Sequence, residues 1–538
     1  MNNTIRLHNY IGCLVLCMIT LVSCSDFLNE PNPNTITVND FWKTESDFES
    51  GVMATYNTLG QGEVLGINGA TLGHLMSETT ISNPWVADAI DLNNFRVSNI
   101  NRLVVNKWDQ LYRGIFRANQ VLEHLNNVDL SPGFEVGIEA EARFLRGLYY
   151  FWLASNYNKG SIPIHISVPA SENDYHKPLS SKEEVYALIF EDLKFAQANL
   201  PQSWNTDNLG RATWGAATGI LGQVYLYEKD YVQAGAEFKK IIDRDIYKLT
   251  PDISWNFDLE HEHNSESIFE VNFSDAVKQG ESSHHATGRA RNVAPQEAGG
   301  ERGIEPSYYF IELCKTDPID PSMAINSGQT YSRRALATIC FKGDGQVFYQ
   351  RPSSDYPFIV NQEAHIKKFQ NWTWREEPNT QRSGINERIL RLADVYLMYA
   401  ETVLKTTGNV DEAIEYVNLV RERSAVLKLN RADYNADRLL THLMRVERPL
   451  ELAFEGHMTR WQDLKRWGIV KEVFTEVSAI RYRSLSDWLR VATPADLAEP
   501  GADIRQQYVE AARNYTTELD YFPIPNVELI TNSELSEN

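Results

Sequence analysis

The stretch "ILGQVYLYEKDYVQAGAEFKKII" at residues 220–242 limits what this chain can fold into more than any other. Leu221 and Gly222 are followed by Tyr225, then by Ala234 and Phe238. These are the offsets of a tetratricopeptide helix pair, L-G-x-x-Y and then A-x-x-x-F. Small residues let two antiparallel helices approach closely, and the aromatic residues fill the wedge to the next pair. A second pair runs through Ala400, Glu401, Leu404, Ala413 and Val417, with the same interval from Leu404 to Ala413 as from Tyr225 to Ala234. Leu193, Ala196 and Pro201 fit the end of a third repeat. Ala140, Phe144, Leu148, Phe151 and Ser155 form a helical stripe, as do Ile389, Leu392, Tyr396, Tyr399 and Val403. The pattern predicts an all-α fold: a tetratricopeptide-like helix-pair scaffold with large irregular loop insertions and a few short strands. Insertions between the repeats rule out a long solenoid.

Scaffold helices are expected at about 41–60, 107–156, 183–248 and 386–470, within a single body over 41–538. The insertions, at about 61–106, 251–385 and 475–520, have few helical stripes, many polar loops and one clear strand, "ESIFEVNF". Long structured loops on a rigid scaffold are where ligand contacts tend to sit.

Ahead of the body, Arg6 precedes an apolar run from Ile11 to Val22. That run is too short for a membrane-spanning helix, which needs about 20 residues. It reads as a secretory signal over residues 1–23. It ends in Leu21-Val22-Ser23-Cys24, the pattern of a bacterial lipobox, which makes Cys24 the lipidated residue after cleavage. Several acyl chains, at about 0.8 kcal/mol per buried CH₂, hold a protein firmly at a membrane. Residues 24–40, with "SDFLNEPNPN", read as an extended tether.

Lys and Arg total 51 against 72 Asp and Glu, and the net charge of -21 repels phosphate backbones, so no nucleic-acid partner is expected. Cys314 and Cys340 are the only cysteines of the body, either bonded to each other or both buried thiols. C-x-x-C, H-E-x-x-H, G-x-S-x-G and the phosphate-binding G-x-x-x-x-G-K-[ST] are absent. His261 and His263, and the His284–His285 pair, lack the further ligands that a closed zinc site needs. No metal and no cofactor are expected.

Seven segments, in order, resemble one family: "FWKTESDFESGVMATYNTL", "WDQLYRGIFRANQVLEHL", "EAEARFLRGLYYFWLASNYNKGSIPI", "GRATWGAATGILGQVYLY", "ERILRLADVYLMYAETV", "ERPLELAFEGHMTRWQDLKRWG" and "YFPIPNVELITNSEL". Together with the lipobox, the chain looks like a member of the SusD/RagB family of Bacteroidetes glycan-binding lipoproteins. The resemblance covers nearly the whole chain. Met458 and Thr459, and the closing "NSELSEN", depart from the family's usual motifs. The resemblance implies a non-enzymatic protein, lipid-anchored on the outer membrane and exposed at the cell surface. It would bind an oligosaccharide or polysaccharide and serve as the lid of a SusC-like, TonB-dependent transporter. The same lid role with a peptide or other nutrient is the alternative. The family has no invariant binding motif to carry over.

Candidate residues therefore come from chemistry. A pyranose ring has an apolar face that stacks on an aromatic, and hydroxyls that seek amide and carboxylate partners. Loop aromatics beside such groups are Trp85, with Asn83 and Asp88 close by; Tyr308; and the alternating Trp372 and Trp374, which in a strand would share one face beside Asn371 and Arg375. Trp108, Trp152, Trp214, Trp461 and Trp467 lie on helical stripes and belong to the core. A surface glycosidase would need two carboxylates, and Glu447, Glu451 and Glu455 fall on one face of a helix. Arg445, Arg448, Arg460, Lys465 and Arg466 in the same segment are expected to pair with them, which favours a packing role.

Overall fold

A computed structural model describes residues 41–66, 73–83, 87–125, 127–275, 286–354, 364–377, 382–485 and 489–535. The signal, Cys24 and the tether lie outside these residues, as do Trp85 and the His284–His285 pair. The chain divides into two units after Asp47. In the first, Thr44 donates through its N and Oγ1 to Asp47 Oδ2 at 2.8 and 2.7 Å. The second, Phe48–Asn538, carries the fold.

Its principal helices are α1 (Glu45–Tyr56, which begins in the first unit), α2 (Arg102–Leu125), α3 (Pro132–Ala154), α4 (Lys182–Asn199), α5 (Trp214–Tyr227), α6 (Tyr231–Arg244), α7 (Tyr308–Lys315), α8 (Leu392–Thr406), α9 (Val410–Arg423), α10 (Arg448–Leu452) and α11 (Thr459–Trp467). Local chemistry sets where they begin. Ser181 and Glu184 form a capping box at α4, and Thr213, Asp230 and Asn409 cap α5, α6 and α9 through their side-chain oxygens. Pro132 occupies the first turn of α3, where its missing N–H costs nothing.

Each helix from α2 to α5 packs on the next, and α6 packs directly on α8, which packs on α9. The array is continuous in space although the chain leaves it after Arg244 and returns at Leu392. Gly222 shows why the repeat signature matters. A Cβ there would meet the Phe238 ring at 2.6 Å, so α5 and α6 can close only over a glycine. The array encloses two hydrophobic clusters, one centred on α2–α5 and one on α6, α8 and α9. Trp108, Trp152, Trp214 and Trp461 are buried as expected; Trp467 is half-buried, with its Nε1 donating to Glu401.

The few short strands expected are present, though the sequence marked only "ESIFEVNF" clearly. The strands are β1 (Thr80–Ser82), β2 (Ser267–Val271), β3 (Ile304–Pro306), β4 (Ile339–Phe341), β5 (Val347–Phe348), β6 (Arg351–Pro352), β7 (Ala364–Ile366), β8 (Glu387–Arg391), β9 (Tyr482–Ser484), β10 (Leu489–Val491) and β11 (Ile504–Arg505). They pair as antiparallel ribbons, β1 with β3, β2 with β8, β4 with β7 and β5 with β6, while β9 lies between β10 and β11. These are too short and too scattered along the chain to show as alternation. Cys314 and Cys340 are both buried and free. Met458, one of the family departures, is fully buried against Gly73.

Candidate functional site

Burial separates the two places where the sequence suggests chemistry, the acidic ladder and the loop aromatics. A π-helical turn (Leu443–Glu447) leads into α10, which ends at Leu452. Glu455 therefore lies beyond the helix, and the three acids do not share one helical face. All three are buried even so. Glu447 pairs with Arg334 at 2.7 Å and with Arg421 and His442. Glu451 pairs with Arg391 at 2.7 Å and with Arg423, and Glu455 with Arg391 at 2.6 Å and with Lys368. Glu266, just ahead of β2, completes the seam against Arg391 and Arg423 at 2.6 and 2.7 Å.

These cations come from remote segments, which corrects the local pairing expected from the sequence. Arg445 pairs instead with Glu472, Arg448 with Asp394 and Asp463, Arg460 with Glu78 and Arg466 with Glu401, while Lys465 donates to the Ser155 carbonyl. Burial by itself raises a carboxyl pKa. For Glu455, Arg391 and Lys368 more than reverse that effect; for Glu447, Arg334 leads the reversal; and Arg423 and Arg391 bring Glu266 down to about 2. A general acid must hold its proton near neutral pH. Glu266, Glu447 and Glu455 are held ionised.

The loop aromatics sit differently. The antiparallel β1–β3 pairing puts Asn83, which follows β1, beside Gly303 at one end of the ribbon, and Tyr308, which opens α7 just after β3, beyond the other end. Asn83 donates through its backbone N to Gly303 O at 3.0 Å and through Nδ2 to Arg302 O at 2.9 Å. Its buried Oδ1 has no hydrogen-bond partner among the described residues. Tyr308 is half-buried, with its ring edge-on to Tyr482 at 5.3 Å and its hydroxyl beside Arg505. Burial pushes its phenol up.

Residues 294–303 fold back on themselves, with Arg302 N donating to Ala294 O at 3.0 Å and Gly303 N to Asn292 O at 2.6 Å. This segment links the Asn83 end of the ribbon to the second aromatic group. Glu377 N donates to Ala298 O at 2.7 Å, and Trp372 packs on the cluster of Ala294, Ala298, Cys340, Phe348 and Tyr349. Lys367 Nζ stands 4.2 Å from the centre of the Trp372 ring, a cation–π contact. Trp372 and Trp374 lie in a turn, closed by Trp374 N donating to Asn371 O at 2.8 Å, so the shared strand face expected of them does not form. Both remain half-buried. Asp88 lies in the short helix Ala87–Asn93, with its Oδ2 2.8 Å from Arg102 at the start of α2.

Sequence reasoning missed Tyr482, Arg505 and Arg302. The alternation in "RYRS" at 481–484 is the one signal that could have marked Tyr482; nothing local marks the other two. His261 is stacked on Trp255 and bonded to Asp258, and His263 lies 3.4 Å from Glu270. Among the described residues, no group of His, Cys, Asp and Glu is placed to hold a metal ion, and no helix is long and apolar enough to cross a membrane.

Two family models match the chain: "SusD family" over residues 265–538 and "Starch-binding associating with outer membrane" over 26–226. A SusD-like protein of Formosa agariphila is 26% identical, with 97% of this chain and 98% of the relative covered. The crystal structure of a SusD superfamily protein from Bacteroides vulgatus is similar with a TM-score of 0.76 at 26% identity, covering 92% of this chain and 98% of that one. Surface glycan-binding protein A from Bacteroides thetaiotaomicron, in complex with laminarihexaose, shares the fold with a TM-score of 0.68 at 19% identity, over 91% and 98% of the two chains.

Proposed function

The chain belongs to the SusD family, and from that premise we propose that it captures an oligosaccharide or polysaccharide at the cell surface and passes it to a TonB-dependent outer-membrane transporter as the lid subunit. In this reading Cys24 carries the lipid anchor. Tyr308, Trp372 and Trp374, together with Trp85, are the stacking platforms, and Asn83 and Asp88 are the polar neighbours of Trp85.

The observation that carries the reading is the half-burial of Tyr308, Trp372 and Trp374 on insertions held by a rigid helical array. A ring fixed on one side and open on the other can stack on a sugar with little loss of its own freedom. The relative bound to laminarihexaose shows the same fold with a glycan. The engagement of the acidic seam with buried cations supports binding over hydrolysis.

Native gels cast with a panel of polysaccharides test the proposal. Wild type is expected to be retarded by at least one, and the Trp85→Ala/Trp372→Ala double variant to migrate faster in that gel. Equal migration of the two removes these residues from the site. New reducing ends released by the purified protein would overturn the binding role. Co-purification with a barrel-sized membrane protein, lost in Cys24→Ala, tests the lid and the anchor.

A further inference from the structure

Two adjoining cavities, of about 300 and 220 Å³, meet at Leu209, Gly210 and Arg211. Neither is lined by Asn83, Tyr308, Trp372 or Trp374. The first is walled by Tyr56, Asn57, Asn272 and Phe273. The second is walled by Gln202, Trp204, Tyr247, His263 and Glu270. Each volume is at or just below the low end of the range for small-ligand sites.

The dividing wall is built rather than incidental. Gly210 has φ +94°, and a Cβ there would collide with the Asn272 side chain, whose Nδ2 donates to Leu209 O at 2.8 Å. Arg211 is held by both oxygens of Glu141 and donates to Asn208 Oδ1 at 2.9 Å. Its guanidinium packs 4.4 Å from the centre of the Trp204 ring. Trp204 donates its Nε1–H to Ala212 O at 2.8 Å and stays half-buried.

The lining chemistry selects the ligand. Flat aromatic faces alternate with amides and hydroxyls, the pairing that a sugar ring needs. Glu141 neutralises the charge of Arg211, and the carboxylate of Glu270 lies in the wall of the second cavity, so an anionic ligand is disfavoured. We propose that the twin cavities form a second carbohydrate subsite, taking a neutral oligosaccharide segment, apart from the Asn83–Trp372 face. This rests on the glycan-binding reading above. A long chain held at both places gains effective concentration without any new contact type.

Leu209 is 40% exposed on the shared wall, so Leu209→Arg fills both cavities without removing a buried group. Trp204→Ala removes the ring, whereas Trp204→Phe keeps a smaller aromatic ring and loses the Nε1–H donor. The test measures retardation of the full chain in native gels of laminarin, amylopectin, xylan and galactomannan, with thermal melting as a control on folding. In a gel that retards wild type, Leu209→Arg and Trp204→Ala are expected to weaken apparent affinity about fivefold or more, and Trp204→Phe less than about twofold, as loss of one stacking platform implies. Wild-type retardation of both Leu209→Arg and Trp204→Ala overturns the second subsite while leaving the first reading standing. Retardation of wild type by none of the four neutral glycans overturns the subsite together with the glycan reading.

Discussion

The Glu447–Glu455 seam and the Asn83–Trp372 face both attract a search for function, and both are built across segments far apart in the chain. In the seam every carboxylate meets at least two cations and is itself buried. In the face the aromatic rings are fixed at one side and left half-open, and Asn83 keeps an acceptor without a partner among the described residues. The difference teaches that residue type marks where chemistry could be, while burial against opposite charge decides whether any remains available. A charge with all its partners inside holds elements together; a ring with one side open can meet a ligand.

Several variants would break or sharpen this contrast. Arg391→Leu leaves Glu266, Glu451 and Glu455 short of their shared cation and is expected to cost about 3–5 kcal/mol, read by urea denaturation. Lys107 is the opposite case: fully buried, with no hydrogen-bond partner for its Nζ among the described residues, and lowered by burial to about 7. Its folded pKa lies below the ordinary 10.5, so it costs stability increasingly as pH falls from there toward 7. Lys107→Met should therefore stabilise the protein, by about 2–4 kcal/mol near neutral pH and by less at pH 10. An unchanged urea midpoint would mean that Lys107 is compensated in the folded protein.

Acid should loosen the seam. Glu266 titrates near 2 when folded against an ordinary 4.5, so its contribution is complete above about 4.5 and is lost as pH falls toward 2. Urea midpoints across that window should decline less steeply in Glu266→Gln than in wild type. Gly222→Ala, which drives a Cβ against Phe238, is expected to cost about 1–3 kcal/mol and to leave glycan retardation unchanged. The smallest effect on stability belongs to the open face. Tyr308→Ala should shift the melting temperature by only a few degrees, as a loss of about 1 kcal/mol implies, while weakening retardation severalfold. A larger effect on melting than on retardation would place Tyr308 with the seam and not with the ligand.

The scaffold was legible because its signals are local. Leu221, Gly222, Tyr225, Ala234 and Phe238 lie within two adjacent helices, and their spacing states how those helices touch. The seam was half legible. Three acids at four-residue spacing announced a buried role, but the π-helical turn and the end of α10 at Leu452 left no trace in the pattern, and the partners Arg334, Arg391 and Arg421 are remote. The face was the least legible. Trp372 and Trp374 alternate as a strand would, yet they form a turn. Trp204 sits among Gln202, Ser203 and Asn205, the same signal that singled out Trp85, and only its cavity gives it a role.

The sequence by itself determined the helix pairs, their capped starts, the positions of the insertions and the family resemblance, because each depends on residues a few places apart. The tertiary structure alone decided that α6 packs onto α8 across the largest insertion, that the acids of the seam are neutralised from afar, and that residues 294–303 join Asn83 to Trp372. Those outcomes depend on which segments meet and on how much water they exclude, and chain spacing carries neither quantity.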